Sequence, residues 1–175
     1  MAVSTAAIVA ALTAVLWQSS ASRSPDGSFG PSGKVTENAA CIPIPGWIIT
    51  YGVEAVRNDG RSEATIQKIS YVHPHNLKVL DAFIVPPRGD TLYGGRPGYP
   101  PKWMLAERSL TVRPAQGTAM DDYANVILVT RLTSQVGHAD AVYLDYENNG
   151  TLYYFRTITS LTVKHGDGVR TGVCH

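Results

Sequence analysis

The pattern of hydrophobic and polar positions predicts short β-strands along most of the chain. In the stretch WIITYGVEAV (residues 47–56), every second residue lies on the same face of the predicted strand: Trp47, Ile49, Tyr51, Val53 and Ala55. Such alternation is typical of a half-buried strand. Further strand patterns cover residues 64–72, 77–85, 109–113, 123–132, 141–146 and 151–163. In the first of these, Ile66 and Ile69 are out of phase, which indicates a bulge near Gln67 and Lys68.

Turn chemistry separates the predicted strands. The tripeptide Asn58-Asp59-Gly60 follows the first strand, and Asn148-Asn149-Gly150 joins the last two as the clearest hairpin in the chain. No stretch shows a convincing helical period. Seven or so strands with short connections predict an all-β fold, an immunoglobulin-like antiparallel β-sandwich, with a small barrel as the alternative.

Residues 86–103 interrupt the strand pattern with five prolines and four glycines, which predicts a long loop. Loops of this length are uncommon unless they are functional or mobile. The loop carries rings and positive charge in the composition of a recognition surface. We therefore select four binding candidates, with capping of the sandwich by the same rings as the alternative: Tyr93, Arg96, Tyr99 and Trp103.

The N-terminus has the features of an export signal. Residues 6–17 form a run of 12 without a charge, followed by small residues that suit signal-peptidase cleavage after Ala21. An uncleaved membrane anchor and an ordered helix of the fold are the alternatives. We expect a signal or anchor over residues 1–21, a flexible linker over 22–39 and the β-sandwich domain over 40–175.

Two cysteines, Cys41 and Cys174, stand at the two ends of the predicted domain. In an exported protein an even number of cysteines favours pairing, so we expect a disulfide bond that ties the first strand to the last. Two buried free thiols are the alternative. The expected location is outside the cytoplasm, either secreted or anchored at the cell surface.

The charge composition limits the classes of partner. The formal net charge is +1, charged residues make up 17% of the chain, and there is no run of Lys or Arg. A phosphate backbone or an anionic membrane needs a concentrated positive surface, so we expect no nucleic-acid binding and membrane contact only through the N-terminal segment. The classes of partner that this charge composition still allows are a protein and a cell-surface component.

No arrangement of residues in the sequence predicts catalysis. The chain has no GxSxG elbow, no HExxH motif and no spare thiol. We expect no enzymatic activity and no cofactor, and a non-catalytic binding or structural role. A hydrolase with an unrecognised site is a further hypothesis.

The segment His73-Pro74-His75 supports an alternative function in copper or zinc binding. Two imidazoles two residues apart in an extended segment can face one metal ion, although a metal site needs more than two ligands. Further ligands would have to come from elsewhere in the chain, among His138, Met104, Met120 and His175. The competing interpretation is a solvated turn between two strands.

The order of these features resembles a group of known proteins. An Asn-Asp-Gly turn precedes ISYVHPHNLKVLDAFIVP, a Gly/Pro stretch ending in GYPP follows, and YFRTITSLTV comes later. This order resembles small uncharacterised exported or membrane-anchored proteins of high-GC Gram-positive bacteria, over about residues 47–163. The resemblance implies an extracytoplasmic domain behind an N-terminal signal or anchor, and it implies no activity.

Overall fold

The computed structural model describes residues 27–31, 38–86, 93–117 and 122–166, and strands dominate these ranges. The predicted all-β class is confirmed. The strands are β1 (Phe29–Pro31), β2 (Asn38–Ile44), β3 (Ile48–Asn58), β4 (Ala64–Val72), β5 (Leu77–Val85), β6 (Gly95–Pro97), β7 (Thr111–Val112), β8 (Tyr123–Leu132), β9 (Val136–Ala139), β10 (Ala141–Asn148), β11 (Thr151–Arg156) and β12 (Thr159–His165). A short helix, α1 (Lys102–Ala106), lies between β6 and β7.

The first sheet has five antiparallel strands in the order β1-β3-β8-β5, with β6 paired to β3. The strands β1 and β6 lie on the same edge of β3, where β1 pairs with its end and β6 with its start. The central strand β8 is buried at every residue from 124 to 130. A strand covered on both faces is apolar without alternation, which explains the run NVILV in its sequence.

The other strands form two further sheets, of four and three strands, and one long hairpin runs through both. The strands β9 and β10 are separated only by Asp140, and β11 and β12 only by residues 157 and 158. The hairpin pairs β10 with β11 and β9 with β12. The strand β4, with β7 beyond it, pairs with β10, and β2 pairs in parallel with β12.

The main core is formed by buried side chains of all three sheets. Among them are Ile49, Val126 and Leu128 from the first sheet, Tyr71, Val142 and Leu144 from the four-stranded sheet, and Leu161 and Val163 from the three-stranded sheet. Alternate residues of β8 point to the opposite face of their sheet, where Ile127 and Val129 form a second cluster with Phe83, Val85 and Met104. The second cluster means that α1 covers the outer face of the first sheet.

Most strand predictions agree with the structure. The strands β4, β5 and β8 have the predicted bounds, and the register of β4 against β10 shifts at Gln67, as the bulge prediction requires. In the predicted hairpin turn Asn149 and Gly150 both have positive φ, 52° and 77°. Two positive φ values are typical of the type I′ turn that Asn-Gly favours.

Three sequence-based expectations need correction. Part of the predicted linker, Phe29–Pro31, forms β1, because Phe29 is buried and stacks on Tyr146 at 3.9 Å between ring centroids. The predicted long loop contains β6 and α1, which pack on the first sheet. The alternation along β3 breaks at a bulge between Gly52 and Glu54, so Glu54, and not Ala55, takes the inward position opposite Val126.

The N-terminal signal or anchor falls outside the described residues. Within the described ranges, no helix has the length and apolar character needed to cross a membrane.

Candidate functional site

The segment that carries the four binding candidates is held on the edge and outer face of the first sheet. The strand β6 pairs with the start of β3, with Gly95 opposite Tyr51. The N–H of Gly98 donates to the carbonyl of Ile48 at 2.7 Å, and Thr50 Oγ1 donates to the carbonyl of Gly98 at 2.8 Å. These bonds fix the segment against β3.

The helix α1 fixes the other end of the segment. Pro101 stands at its N-cap in extended conformation, which suits proline because proline has no N–H to leave unpaired. One turn later Met104, only 2% exposed, packs into the cluster of Phe83 and Ile127. Because Met104 is fixed by its burial, it also fixes the position of its neighbour Trp103.

Between these two ends lies a pocket of about 240 Å³. The rings of Tyr93 and Trp103 approach to 5.3 Å between centroids at an angle of 43°. The pocket is lined by Thr50, Gly52, Tyr93, Gly94, Gly95, Arg96, Trp103 and Met104. We call it the aromatic pocket. Its lining joins two rings, one guanidinium and bare backbone, so it offers apolar contact area, positive charge and peptide groups to a ligand.

Glycines make the close approach of this segment to the sheet feasible. A Cβ on Gly52 would collide with the backbone carbonyl of Tyr93, and a Cβ on Gly95 would meet the side chain of Ile42 within 3.0 Å. Gly94, in contrast, has open space around the position of a Cβ. The requirement for glycine at position 52 explains an otherwise unfavourable residue in a strand interior.

Three of the four predicted binding residues come together, and the fourth does not. Tyr93, Arg96 and Trp103 line the aromatic pocket, whereas Tyr99 lies outside it with 61% of its surface exposed. Arg96 is exposed and makes no ion pair with any described residue. Tyr99 and Arg96 thus lie on the same segment as the pocket and are available to a partner.

Sequence reasoning missed Thr50, Gly52 and Met104, which form the floor of the aromatic pocket. Thr50 and Gly52 lie on β3, far from the loop in sequence, and only the pairing of β6 with β3 brings them there. The glycine inside a strand pattern is the one signal of close backbone approach that was present in the sequence.

A cluster of polar side chains lies just beyond the end of β4, beside β9. His75 and His138 form an isolated antiparallel bridge with backbone bonds of 2.7 and 2.8 Å. His73 Nδ1 donates to Asp140 Oδ2 at 2.8 Å, and His138 Nε2 donates to Asp140 Oδ1 at 3.2 Å. Hydrogen bonds from His73 and His138 lower the pKa of Asp140 from its ordinary value.

The hydroxyl of Thr162 extends this cluster, because its Oγ1 lies 3.1 Å from Nδ1 of His138. In the tautomer whose Nε2 donates to Asp140, Nδ1 of His138 is the acceptor and the hydroxyl of Thr162 is the donor. This hydroxyl–imidazole–carboxylate series has the order of a nucleophilic relay, but none of its three members lines the aromatic pocket.

The metal alternative stays a prediction. The structure brings His73 and His138 to a common carboxylate, places Met104 in a separate apolar cluster, and leaves Met120 and His175 outside the described residues. Within the described ranges no group of three or more His, Cys, Asp or Glu side chains is arranged to hold a metal ion. The hydrogen bonds to Asp140 account for the proximity of His73 and His138.

The predicted disulfide bond also stays a prediction. Cys41 lies in β2, opposite Thr162 in the parallel pairing with β12. Cys174 lies outside the described residues.

Comparisons of the chain with protein-family models, with curated proteins and with solved structures found no match.

Proposed function

We propose that this protein is a non-catalytic, extracytoplasmic binding module that recognises a protein or cell-surface partner through the aromatic pocket, which includes Arg96, and the adjoining Tyr99. The observation that carries the proposal is the convergence of Tyr93, Arg96 and Trp103 on one pocket. Aromatic rings and arginine are the residues that most often dominate binding energy at interfaces.

The fold supports this role. Immunoglobulin-like domains place strands A, B, E and D in one sheet and C, F and G in the other. The orders β1-β3-β8-β5 and β4-β10-β11 match that arrangement if β1 is strand A and the long hairpin supplies F and G. This fold class typically carries binding surfaces on a rigid framework, so we propose an immunoglobulin-like β-sandwich.

The non-catalytic assignment rests on where the reactive groups lie. The aromatic pocket contains neither a carboxylate nor an imidazole, and its hydroxyls are those of Thr50 and Tyr93. Thr50 Oγ1 already donates to a backbone carbonyl. The two commonest general acid–base groups, a carboxylate and an imidazole, are therefore missing from the described lining of the pocket. A robust hydrolytic activity that disappears with a single substitution at the lining would contradict the assignment.

Site-specific photo-crosslinking tests the proposal. A photoreactive phenylalanine replaces exposed Tyr99 in the purified domain, which is then incubated with intact cells of a high-GC Gram-positive bacterium. We expect one defined crosslinked partner, lost with Arg96→Glu. In one control the crosslinker replaces exposed Arg61, beyond the opposite end of β3. In a second control Arg61→Glu is combined with the crosslinker at position 99, as the matched charge reversal. Equal crosslinking from both positions, or no crosslink from Tyr99, would refute the proposal.

A further inference from the structure

The strand β11 forms one edge of the four-stranded sheet, and among the described residues it pairs with β10 alone. Just beyond the strand, the N–H of Thr157 donates to the carbonyl of Val142. Hydrogen-bonded pairs alternate along antiparallel strands, so Tyr153 and Phe155 also direct their backbone groups to β10. The backbone groups of the residues between them point away from β10. We call these outward residues the β11 edge: Leu152, Tyr154 and Arg156.

The strand β11 is suited to pairing with a further strand. Proteins protect exposed sheet edges with short strands, prolines and bulges. The edge strands β1, β6, β7 and β9 have only two to four residues, β2 contains Pro43, and β5 has a register shift between Val79 and Asp81. The strand β11 has six residues, TLYYFR, and pairs with β10 in one continuous register. Among the edge strands of the described ranges, β11 is the one without such protection.

Two rings on the inner side of β11 are only partly covered by the core. Tyr153 and Phe155 pack against core residues but remain half-buried. Tyr153 stacks on Tyr146, and Phe155 meets Phe29 edge to face at 6.5 Å between ring centroids. A strand added at the β11 edge would cover the remaining surface of both rings.

We infer that the β11 edge pairs antiparallel with the β11 edge of a second copy of this chain, about a twofold axis at Tyr154. In this register Tyr154 lies opposite Tyr154 of the second copy, and Leu152 lies opposite Arg156. Every residue of the β11 edge then belongs to a hydrogen-bonded pair. The same surface serves both copies, as a twofold interface requires.

The side chains on the inner side favour a second copy over an unrelated strand. The twofold axis places Tyr153 opposite Phe155 of the second copy, and Phe155 opposite its Tyr153. These are non-hydrogen-bonded positions, where facing side chains lie closest, and aromatic pairs there stabilise a sheet. The two half-buried rings of each copy therefore complete each other's packing.

The charges on the outer side are also self-complementary. Glu147 lies beside Leu152 in the pairing of β10 with β11. In the twofold pair Glu147 is two strands, about 10 Å, from Arg156 of the second copy, within reach of two long side chains. Glu147 and Arg156 are both exposed, and neither makes an ion pair with any described residue. Each copy thus offers the other an opposite charge.

Amide hydrogen exchange of the full chain, followed by NMR at low and high protein concentration, tests the inference without any substitution. The N–H groups of the β11 edge should exchange freely in dilute protein and become protected as the concentration rises. Those of Tyr153 and Phe155 bond to β10 and should be protected at both concentrations. Sedimentation velocity should show a reversible monomer–dimer equilibrium, because an interface limited to one strand pair belongs to the small, weak class.

Two substitutions at Leu152 should change the dimer in opposite directions. Leu152→Arg places like charges opposite each other at Arg156 on both sides of the twofold axis, and should raise the dimer Kd about tenfold. Leu152→Glu places opposite charges there and should lower the Kd about tenfold. Leu105→Arg and Leu105→Glu, at an exposed leucine of α1, make the same changes of net charge and should leave the Kd unchanged. Thermal unfolding of the dilute variants checks that each one folds.

Four results would each overturn the inference. The first is a chain that stays monomeric at every concentration, and the second is association that leaves the amides of the β11 edge unprotected. The third is protection of those amides already in the dilute monomer, which would show that the edge is paired within the chain. The fourth is equal dimerisation of Leu152→Arg and Leu152→Glu, which would exclude the register about Tyr154.

Discussion

The hydroxyl groups of Tyr71 and Thr130 lie 2.8 Å apart and form a buried hydrogen bond between two sheets of the fold. Tyr71 belongs to β4 and Thr130 to β8, and Thr130 is completely buried. Burial raises the pKa of Tyr71, and the bond to Thr130 opposes that rise. The pair gives the apolar core one directional contact, which aligns β4 with β8.

Removing one hydroxyl of this pair is expected to cost more than removing both. Tyr71→Phe leaves the Thr130 hydroxyl buried without a partner, at a cost of about 1–3 kcal/mol in the free energy of unfolding. Tyr71→Phe combined with Thr130→Val removes both groups and should recover part of that loss. Urea denaturation measures the difference, with Tyr99→Phe at an exposed tyrosine as control. Additive losses in the double variant would show that the bond contributes nothing.

Glu54 is an acidic side chain in the core, 8% exposed, and its Oε2 has no hydrogen-bond partner among the described residues. Burial raises the pKa of Glu54 from its ordinary 4.5, and a hydrogen bond from the N–H of Ile158 opposes the rise. The pKa of Tyr51 is also raised, to about 12, mainly by burial and to a smaller extent by the nearby charge of Glu54. The bulge that shifts β3 by one position is what turns Glu54 inward.

The raised pKa of Glu54 predicts that the protein loses stability as the pH rises. The folded state holds this proton more tightly than the unfolded state, so the contribution to stability is fully present below 4.5 and declines as the pH rises through the raised folded value. Glu54→Gln should stabilise the protein by roughly 1 kcal/mol at neutral pH and by nothing at acid pH. Thermal unfolding at both pH values checks this, with exposed Glu63→Gln as control. An equal effect at both pH values would exclude ionisation as the cause.

The carboxylate of Asp140 is expected to titrate at lower pH than an ordinary aspartate. Hydrogen bonds from two imidazoles lower its pKa, and the bond from His73 has a larger effect than the bond from His138. A lowered pKa stabilises the folded protein above the unfolded value, and the contribution disappears as the pH falls through the folded value. Carbon NMR of the side-chain carboxyl follows the titration directly. His73→Gln and His138→Gln should each return the midpoint toward 3.8, whereas His75→Gln should not.

Gly52 is expected to tolerate no side chain. In Gly52→Ala the new Cβ would collide with the carbonyl of Tyr93, so either β3 or the segment of the aromatic pocket must move. We expect a loss of about 1–3 kcal/mol in stability, as for overpacked sites, together with a shift of Trp103 fluorescence. Gly94→Ala, where the Cβ meets nothing within 4 Å, is the matched control. Equal stability of the two variants would contradict the close packing of this segment on β3.

The sequence predicted the strands whose stability is local and missed those that depend on distant partners. The bounds of β4, β5 and β8 follow from apolar pattern and turn residues within each segment. The strand β1 contains only Phe29-Gly30-Pro31 and exists because it pairs with Val56 to Asn58. No local signal distinguishes such a three-residue strand from a linker, since its hydrogen bonds and buried ring come from elsewhere in the chain.

The same reasoning explains what the sequence revealed about the aromatic pocket. Its rings and arginine stood out because they are concentrated in a Gly/Pro-rich stretch, which is a compositional signal. No sequence signal identified Thr50 as a pocket residue, because its role follows from the register of β6 on β3. The cluster at Asp140 was hidden for a similar reason: a one-residue change of register would separate His73 from Asp140.

The geometry of β2 and β12 makes the predicted bond between Cys41 and Cys174 testable. The N–H of Gly166 donates to the carbonyl of Ile44, three residues beyond Cys41 on the same strand, a separation of about 10 Å. The eight residues from Gly166 to Cys174 span at most about 27 Å, which is sufficient to return to Cys41.

Intact mass after thiol alkylation should show no label without reduction and two labels after it. In the chain-entropy model Cys41→Ala would lower stability by roughly 4–5 kcal/mol, and reduction would have no further effect on that variant. Labelling of both thiols without reduction would replace the bridge with the free-thiol alternative.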